Sequence, residues 1–223
     1  MFNGKMKAVT FSYDDGVFQD RRLVEILNKY GLKCTFNINS GLFGEGSRTI
    51  MPEEMPELYK GHEVAVHGIK HALLTKLEKD EDIINELEGD RKRLSEIMGY
   101  EIVGMAYAYG VYDDRVVDLI DKKTGVLYSR AVQSTRNFEI PADLLRLRPT
   151  VHHNDERLFE LAEEFIAMKP DSPKMFYIWG HSYEFDQVEG AWERFEKFCE
   201  LISGHDDIFY GTNSELSIEV HQN

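Results

Sequence analysis

Residues 7–39 read KAVTFSYDDGVFQDRRLVEILNKYGLKCTFNIN, and this stretch decides the fold. KAVTFS (7–12) has the composition of a buried strand, and Asp14-Asp15-Gly16 behind it is turn chemistry. Leu23, Val24, Ile26 and Leu27 then recur among charges over residues 18–30, giving an amphipathic helix that stops at Gly31. KCTFNIN (33–39) is a second strand. Strand, helix and strand in this order predict a parallel pair joined by a right-handed crossover.

The same alternation runs outward along the chain. A glycine-rich loop, GLFGEG, and a short helix begun at Pro52 lead to a third strand, HEVAVHG (62–68). Residues 79–98 form the clearest helix, with Ile83, Ile84, Leu87, Leu94 and Ile97 on one side. IVGMAYAYG (102–110), GVLYSRAV (125–132), LLRLRPTVHH (144–153), KMFYIWGHS (174–182) and DIFYGT (207–212) supply further strands. Helices fall near 113–122, 155–168 and 189–203. About seven to eight parallel strands predict an α/β fold, a single-domain distorted (β/α) barrel over residues 1–223, with an open doubly wound sheet as its competitor. No repeat or Pro/Gly/Ser linker divides the chain.

The formal net charge of −14 repels nucleic acid phosphates and anionic lipid, so neither nucleic acid nor membrane is an expected partner. No apolar run approaches the ~20 residues that span a bilayer, and the N-terminus lacks the pattern of a signal peptide. The expected location is therefore cytoplasmic. Cys34 and Cys199 sit far apart in apolar patterns and read as reduced core residues.

In a parallel α/β architecture ligands bind at the C-terminal ends of the strands. Ionisable groups collect there: Asp14 and Asp15 after the first strand, His67 and His71 after the third, His152 and His153 after the strand near 147–151, and His181 after the strand near 175–179. Asp14-Asp15-Gly16 is compatible with a plain helix-capping turn. Two adjacent carboxylates in a bent backbone, however, allow one to bind a metal while the other faces a water. His67 and His71 lie four apart, on one face if the segment is helical, which suits attachment to one ion. Two histidines and one carboxylate leave positions open for water and substrate, as in catalytic rather than structural zinc sites. By location His181 is the best proton donor to a leaving amine.

These residues resemble the polysaccharide deacetylases, carbohydrate esterase family 4. TFSYDDG (10–16) is similar to the family's first motif, T-F-D-D-G, read with two extra residues between Phe11 and Asp14. HGIKH (67–71) resembles the second, H-S/T-x-x-H, with Gly68 in place of Ser or Thr; GLKCTFNI resembles the second strand, and WGHS (179–182) takes the place of the last motif. The resemblance covers roughly residues 6–182. It implies a divalent metal on Asp15, His67 and His71, most simply zinc, with cobalt, nickel or manganese able to use the same ligands. It further implies Asp14 as general base, His181 as general acid and hydrolysis of an N-acetyl group on a sugar or oligosaccharide. The Tyr109 N–H would serve the oxyanion.

Three departures matter. Ala106 stands where the family's third motif has an arginine, and Arg130, Arg146 and Arg148 are the candidate replacements. YSRAV (128–132) replaces the fourth motif with its Asp and Trp. HSYEFD (181–186) extends the last motif with groups, Glu184 or Asp186, placed to contact substrate. Trp179 is a candidate apolar wall for an acetyl methyl, and His153 a candidate substrate contact at the rim. The absent arginine keeps a cyclic amide or ureide open as the alternative substrate, and a non-catalytic carbohydrate-binding barrel is the rival class. His62 starts the third strand and belongs at the far end.

Overall fold

The computed structural model describes residues 2–44 and 48–221, with side chains up to residue 217. Part of the GLFGEG loop therefore lies outside the described residues. The elements run β1 (Lys7–Asp14), α1 (Asp20–Lys29), β2 (Cys34–Ile38), α2 (Met55–Leu58), β3 (Glu63–Val66), α3 (Asp80–Met98), β4 (Gly104–Ala106) and α4 (Asp114–Lys123). They continue through β5 (Tyr128–Arg130), β6 (Val151–His152), α5 (Leu158–Ala167), β7 (Lys174–Gly180), α6 (Ala191–Ile202), β8 (Ile208–Tyr210) and α7 (Asn213–His221).

Seven strands follow the order β5-β4-β3-β2-β1-β7-β6, every pair parallel. β7 covers one edge of β1, while β8 pairs with Lys7–Val9 and β2 with Phe11–Asp14 on the other. The wall then curls back on itself. The Ala131 N–H donates to Leu147 and the Leu147 N–H to Ser129, while the Thr150 N–H donates to Tyr177. One extended segment thus touches β5 at its start and β7 at its end, which makes the distorted barrel expected from the alternation and rules out the open sheet.

Strand alternation divides the core in two. Val9, Phe11 and Tyr13 of β1 pack outward under the helices with Phe36, Ile38, Val64, Val66, Phe176 and Ile178. The intervening residues face the barrel interior, and this interior is polar. Asn37 donates to Ser12 and Asp14, Thr35 and Tyr128 both donate to the buried Glu63, and the Ser214 N–H at the start of α7 donates to the same carboxylate. Helix α7, not anticipated from the sequence, thereby covers the end of the barrel away from the chemistry. His62 lies at that end as expected, accepting from the Cys34 N–H through Nδ1. Cys34 and Cys199 are both free and buried.

Several boundaries differ from the sequence reading. The first strand runs to Asp14 rather than Ser12, and residues 144–153 yield a 3-10 turn and only two strand residues. Residues 108–110 form another 3-10 turn instead of prolonging β4.

A Cβ on Gly104 would lie 2.0 Å from the Tyr128 hydroxyl oxygen and 2.1 Å from its ring carbon. Gly104→Ala must displace Tyr128 from Glu63, and is expected to cost about 1–3 kcal/mol. That corresponds to a fall in Tm of roughly 2–4 °C per kcal/mol, measurable by thermal denaturation.

Candidate active site

The parity that makes the interior polar also aims the chemistry. Asp14, His67, Arg130 and Trp179 all lie at strand C-termini with interior-facing side chains. The register of β1 against β2 is continuous, Tyr13 opposite Phe36 and Asp14 opposite Asn37. No residue of β1 bulges out of this register. By residue type Ser12-Tyr13-Asp14-Asp15-Gly16 lines up with T-F-D-D-G without a gap, which corrects the reading with two extra residues.

Asp15, His67 and His71 converge. The two Nε2 atoms are 3.1 Å apart, and Asp15 Oδ1 lies 3.6 Å from His67 and 3.9 Å from His71. Bonds of about 2.0–2.1 Å to a tetrahedral ion imply ligand separations of roughly 3.3 Å, so the donor set fits one divalent cation. His67 donates its Nδ1–H to the Ala106 carbonyl at 2.9 Å, which directs its Nε2 lone pair into the cluster. The pair does not converge by helical spacing: Gly68 and His71 both have positive φ, 87° and 55°, and the chain turns back between them. Asp15 is likewise left-handed at φ 80°. Strain of this kind persists only where the surroundings hold it. Glu86 of α3 holds the turn at His71 by accepting from the Lys70 and Ala72 N–H groups, and the Asp15 N–H donates to the Asn37 carbonyl. Asp90 of α3 holds the start of the turn by accepting from the Ser40 and His67 N–H groups, although burial pushes its carboxyl up to about 7.

Asp14 sits beside this cluster, 3.9 Å from His67 Nε2, and is buried. Arg130 donates Nη2 to both of its carboxylate oxygens, at 2.5 and 2.6 Å. Burial pushes Asp14 up, but Arg130, His67 and His181 together outweigh it and hold the carboxyl at about 2. The charge absent at Ala106 is therefore supplied by Arg130, from the neighbouring strand. Ala106 and Arg130 are paired across β4 and β5, so the guanidinium reaches the same space by one lateral step. Arg146 instead pairs with Asp114 and Asp143.

His181 faces Asp14 from the opposite side, Nε2 to Oδ2 3.9 Å. Its Nδ1 lies 3.6 Å from Glu184, whose other oxygen is 3.2 Å from both His152 Nε2 and His153 Nε2. Burial raises the Glu184 carboxyl, and its contacts with His152 and His181 draw it well below the ordinary range. Burial lowers His181, but Glu184, Asp14 and Asp15 raise it further, so the imidazole holds its proton beyond the ordinary range. Glu184 is thus engaged by imidazoles rather than directed at substrate. His153 is corrected too: it is 1% exposed, stacked between Tyr13 and Phe185, and burial pushes its pKa far down. Trp179 is buried with its ring 4.9 Å from the Arg130 guanidinium, a floor beneath the ion pair instead of an open wall. Tyr109 does reach the rim, 60% exposed with its ring 4.5 Å from His71. Asp186 accepts from Gln19 and Trp192.

Residues 3–128 match the sequence model of the polysaccharide deacetylases, and the chain belongs to this family. It is 33% identical over 108 residues to chitin deacetylase 1 of Cryptococcus neoformans var. grubii, covering 47% of this chain and 22% of that protein, so the match spans about a fifth of the relative's length. A solved structure from Mycobacterium smegmatis assigned to the polysaccharide deacetylases superimposes with a TM-score of 0.74 at 18% identity, over 98% of this chain and 91% of that one. A family 4 carbohydrate esterase from Streptomyces lividans, in complex with acetate, gives 0.60 at 14% identity over 96% and 95%. These two show that the barrel is shared. Among the described residues no helix is long and apolar enough to cross a membrane.

Arg130→Met leaves Asp14 buried without its counter-charge and is expected to cost about 3–5 kcal/mol at neutral pH. The sign follows from linkage. A carboxyl held at about 2 adds stability above its unfolded value near 3.8, whereas one raised by burial loses it there. The deficit in urea denaturation should therefore shrink as pH falls from 7 toward 3.

Proposed function

We propose that this chain hydrolyses the N-acetyl group of a sugar or oligosaccharide, using one divalent metal held by Asp15, His67 and His71, with zinc the simplest choice and cobalt, nickel or manganese compatible. The observation that carries this reading is the facing pair, Asp14 and His181, set on either side of one mouth with opposite proton affinities. When bound, a divalent ion would acidify a water and polarise an acyl oxygen.

The remaining chemistry belongs to the side chains. Asp14, ionised and oriented by Arg130, takes a proton from the attacking water as oxygen adds to the acyl carbon. His181, which Glu184, Asp14 and Asp15 make hold its proton beyond the ordinary histidine range, delivers a proton to the sugar nitrogen as the C–N bond breaks. Glu184 keeps that imidazole charged. Tyr109 offers its exposed ring at the rim beside His71 as a substrate contact, with its N–H as the proposed oxyanion donor.

A cavity of 360 Å³ lined by Phe18, Gln19, Tyr183 and Gln187 opens beside His181, with the Tyr183 ring 5.2 Å from the imidazole. Aromatic faces with amides suit a pyranose ring, which supports an oligosaccharide in preference to a single sugar. The ground for a cyclic amide or ureide is the missing arginine, and the pairing of Arg130 with Asp14 weakens that ground. A binding barrel without turnover would have no use for a base and an acid tuned in opposite directions.

Acetate release from a panel of N-acetylated sugars and oligosaccharides, with chelated protein and with zinc or cobalt restored, tests the reading. Metal-dependent acetate is expected; metal binding without acetate from any substrate would count against it. Asp14→Asn should retain one metal per chain by elemental analysis and lower kcat about 10²–10⁴-fold. The rate should fall on the alkaline side with a midpoint above the ordinary histidine value of 6.5, because the protonated imidazole is the active form. Glu184→Gln, by removing the charge that stabilises it, should move that midpoint to lower pH.

A further inference from the structure

Asp20 has no part in the scheme above and sits where a carboxylate is costly. It opens α1, is fully buried, and lies in the field of Asp14 and Asp15; among the described residues no lysine, arginine or histidine pairs with it. Burial pushes its carboxyl up to about 7. The helix N-terminus and two hydroxyl donors are what favour a negative charge there. Its two oxygens each accept one hydroxyl, from Ser182 at 2.5 Å and from Tyr59 at 2.8 Å.

Ser182 follows His181 directly. As β7 ends, the chain turns Ser182 into the protein, fully buried, while the His181 side chain stays 22% exposed at the mouth. The imidazole is steadied from one side by Glu184, which also accepts the His181 N–H at 3.1 Å. Further along the turn Phe185 packs on His153 and Trp192 and Asp186 accepts from Gln19 and Trp192, but the residue next to His181 is Ser182, and its hydroxyl is held by Asp20. We propose that Asp20 is a positioning residue for proton delivery: through the Ser182 hydroxyl it fixes the backbone under His181 and keeps Nε2 on the Asp14 side of the site. This inference rests on the hydrolase reading, with His181 as the proton donor. Tyr59 makes the anchor rigid, since its ring is packed at 4.5 Å on Phe36 of β2.

Ser182→Ala in the zinc-loaded protein removes the link and leaves the carboxyl, and Ser182→Thr restores the hydroxyl. Two substrates separate positioning of the acid from general damage. An N-acetylated sugar leaves as a poor amine that needs a proton, whereas 4-nitrophenyl acetate releases a stable phenolate without one. The expected result is a fall of about tenfold in kcat on the amide, with KM and the aryl-ester rate within about twofold and zinc content unchanged. Ser182→Thr should restore the amide rate, and Asp20→Asn, which keeps one acceptor oxygen, should fall between. The alkaline limb on the amide should also move in Ser182→Ala, because the imidazole shifts relative to the titratable groups around it: Asp14, Asp15, Glu184, Tyr183, His71, His152 and His153. Equal losses on both substrates, or a lower Tm with both rates intact, would overturn the proposal and leave Asp20 a purely structural anchor. If the wild-type protein hydrolyses no amide, the hydrolase reading fails instead. The positioning claim is then read from the His181 imidazole by NMR, where an unchanged pKa and tautomer in Ser182→Ala overturns it.

Discussion

The buried ion pair between Asp14 and Arg130 is the constraint on which the rest of the site depends. It joins the first strand to the fifth across the barrel mouth, so the side chains between them are held at fixed separations. Such a pair is costly to desolvate and adds little net stability over an apolar replacement. What it provides is an Asp14 that stays ionised although buried. Without the guanidinium, burial would push that carboxyl up toward its protonated form, and a neutral acid cannot accept a proton. Trp179 beneath the guanidinium and Asn37 beside the carboxylate complete the seat.

Around this pair the barrel uses buried polar groups in a regular way. Helices α1 and α3 each send one carboxyl, Asp20 and Asp90, inward to a turn that carries functional residues: Ser182 next to His181, and the backbone of Ser40 and His67. Both carboxyls are pushed up to about 7 by burial, so each costs stability as pH rises toward neutrality. The opposite case is Glu184, drawn down by the imidazoles around it. The site thus combines carboxyls of one chemical type in three electrostatic states. Environment, not residue identity, separates the proposed base from the anchors.

The far end of the barrel follows another rule. Glu63, Thr35, Tyr128, Thr10, Asn213 and Tyr177 form a closed hydrogen-bonded set beneath the start of α7. A polar interior is tolerated because nearly every member finds a partner. This network sets the spacing of the strands from below, as the ion pair does from above.

Much of this was legible in the sequence because it rests on local periodicity. Strand–helix alternation predicted the parallel barrel, and placement after strand ends singled out Asp14, Asp15, His67, His71 and His181. The alternation of Val9, Phe11 and Tyr13 with Thr10, Ser12 and Asp14 already holds the division between outer core and polar interior, and shows β1 running unbroken into the acidic pair. Arg130 was only one of three candidates, since its reach depends on β4 and β5 lying side by side. His153 and Glu184 looked like rim residues because position in the chain gives distance along a strand, not depth beneath a turn. The convergence of His67 and His71 hung on two left-handed residues that no spacing announces. The sequence by itself determined which residues gather at one end of the barrel, because side-chain direction and strand order follow from period and composition. Only the tertiary structure decided which of them meet, because a partner 116 residues away is chosen by how the sheet closes.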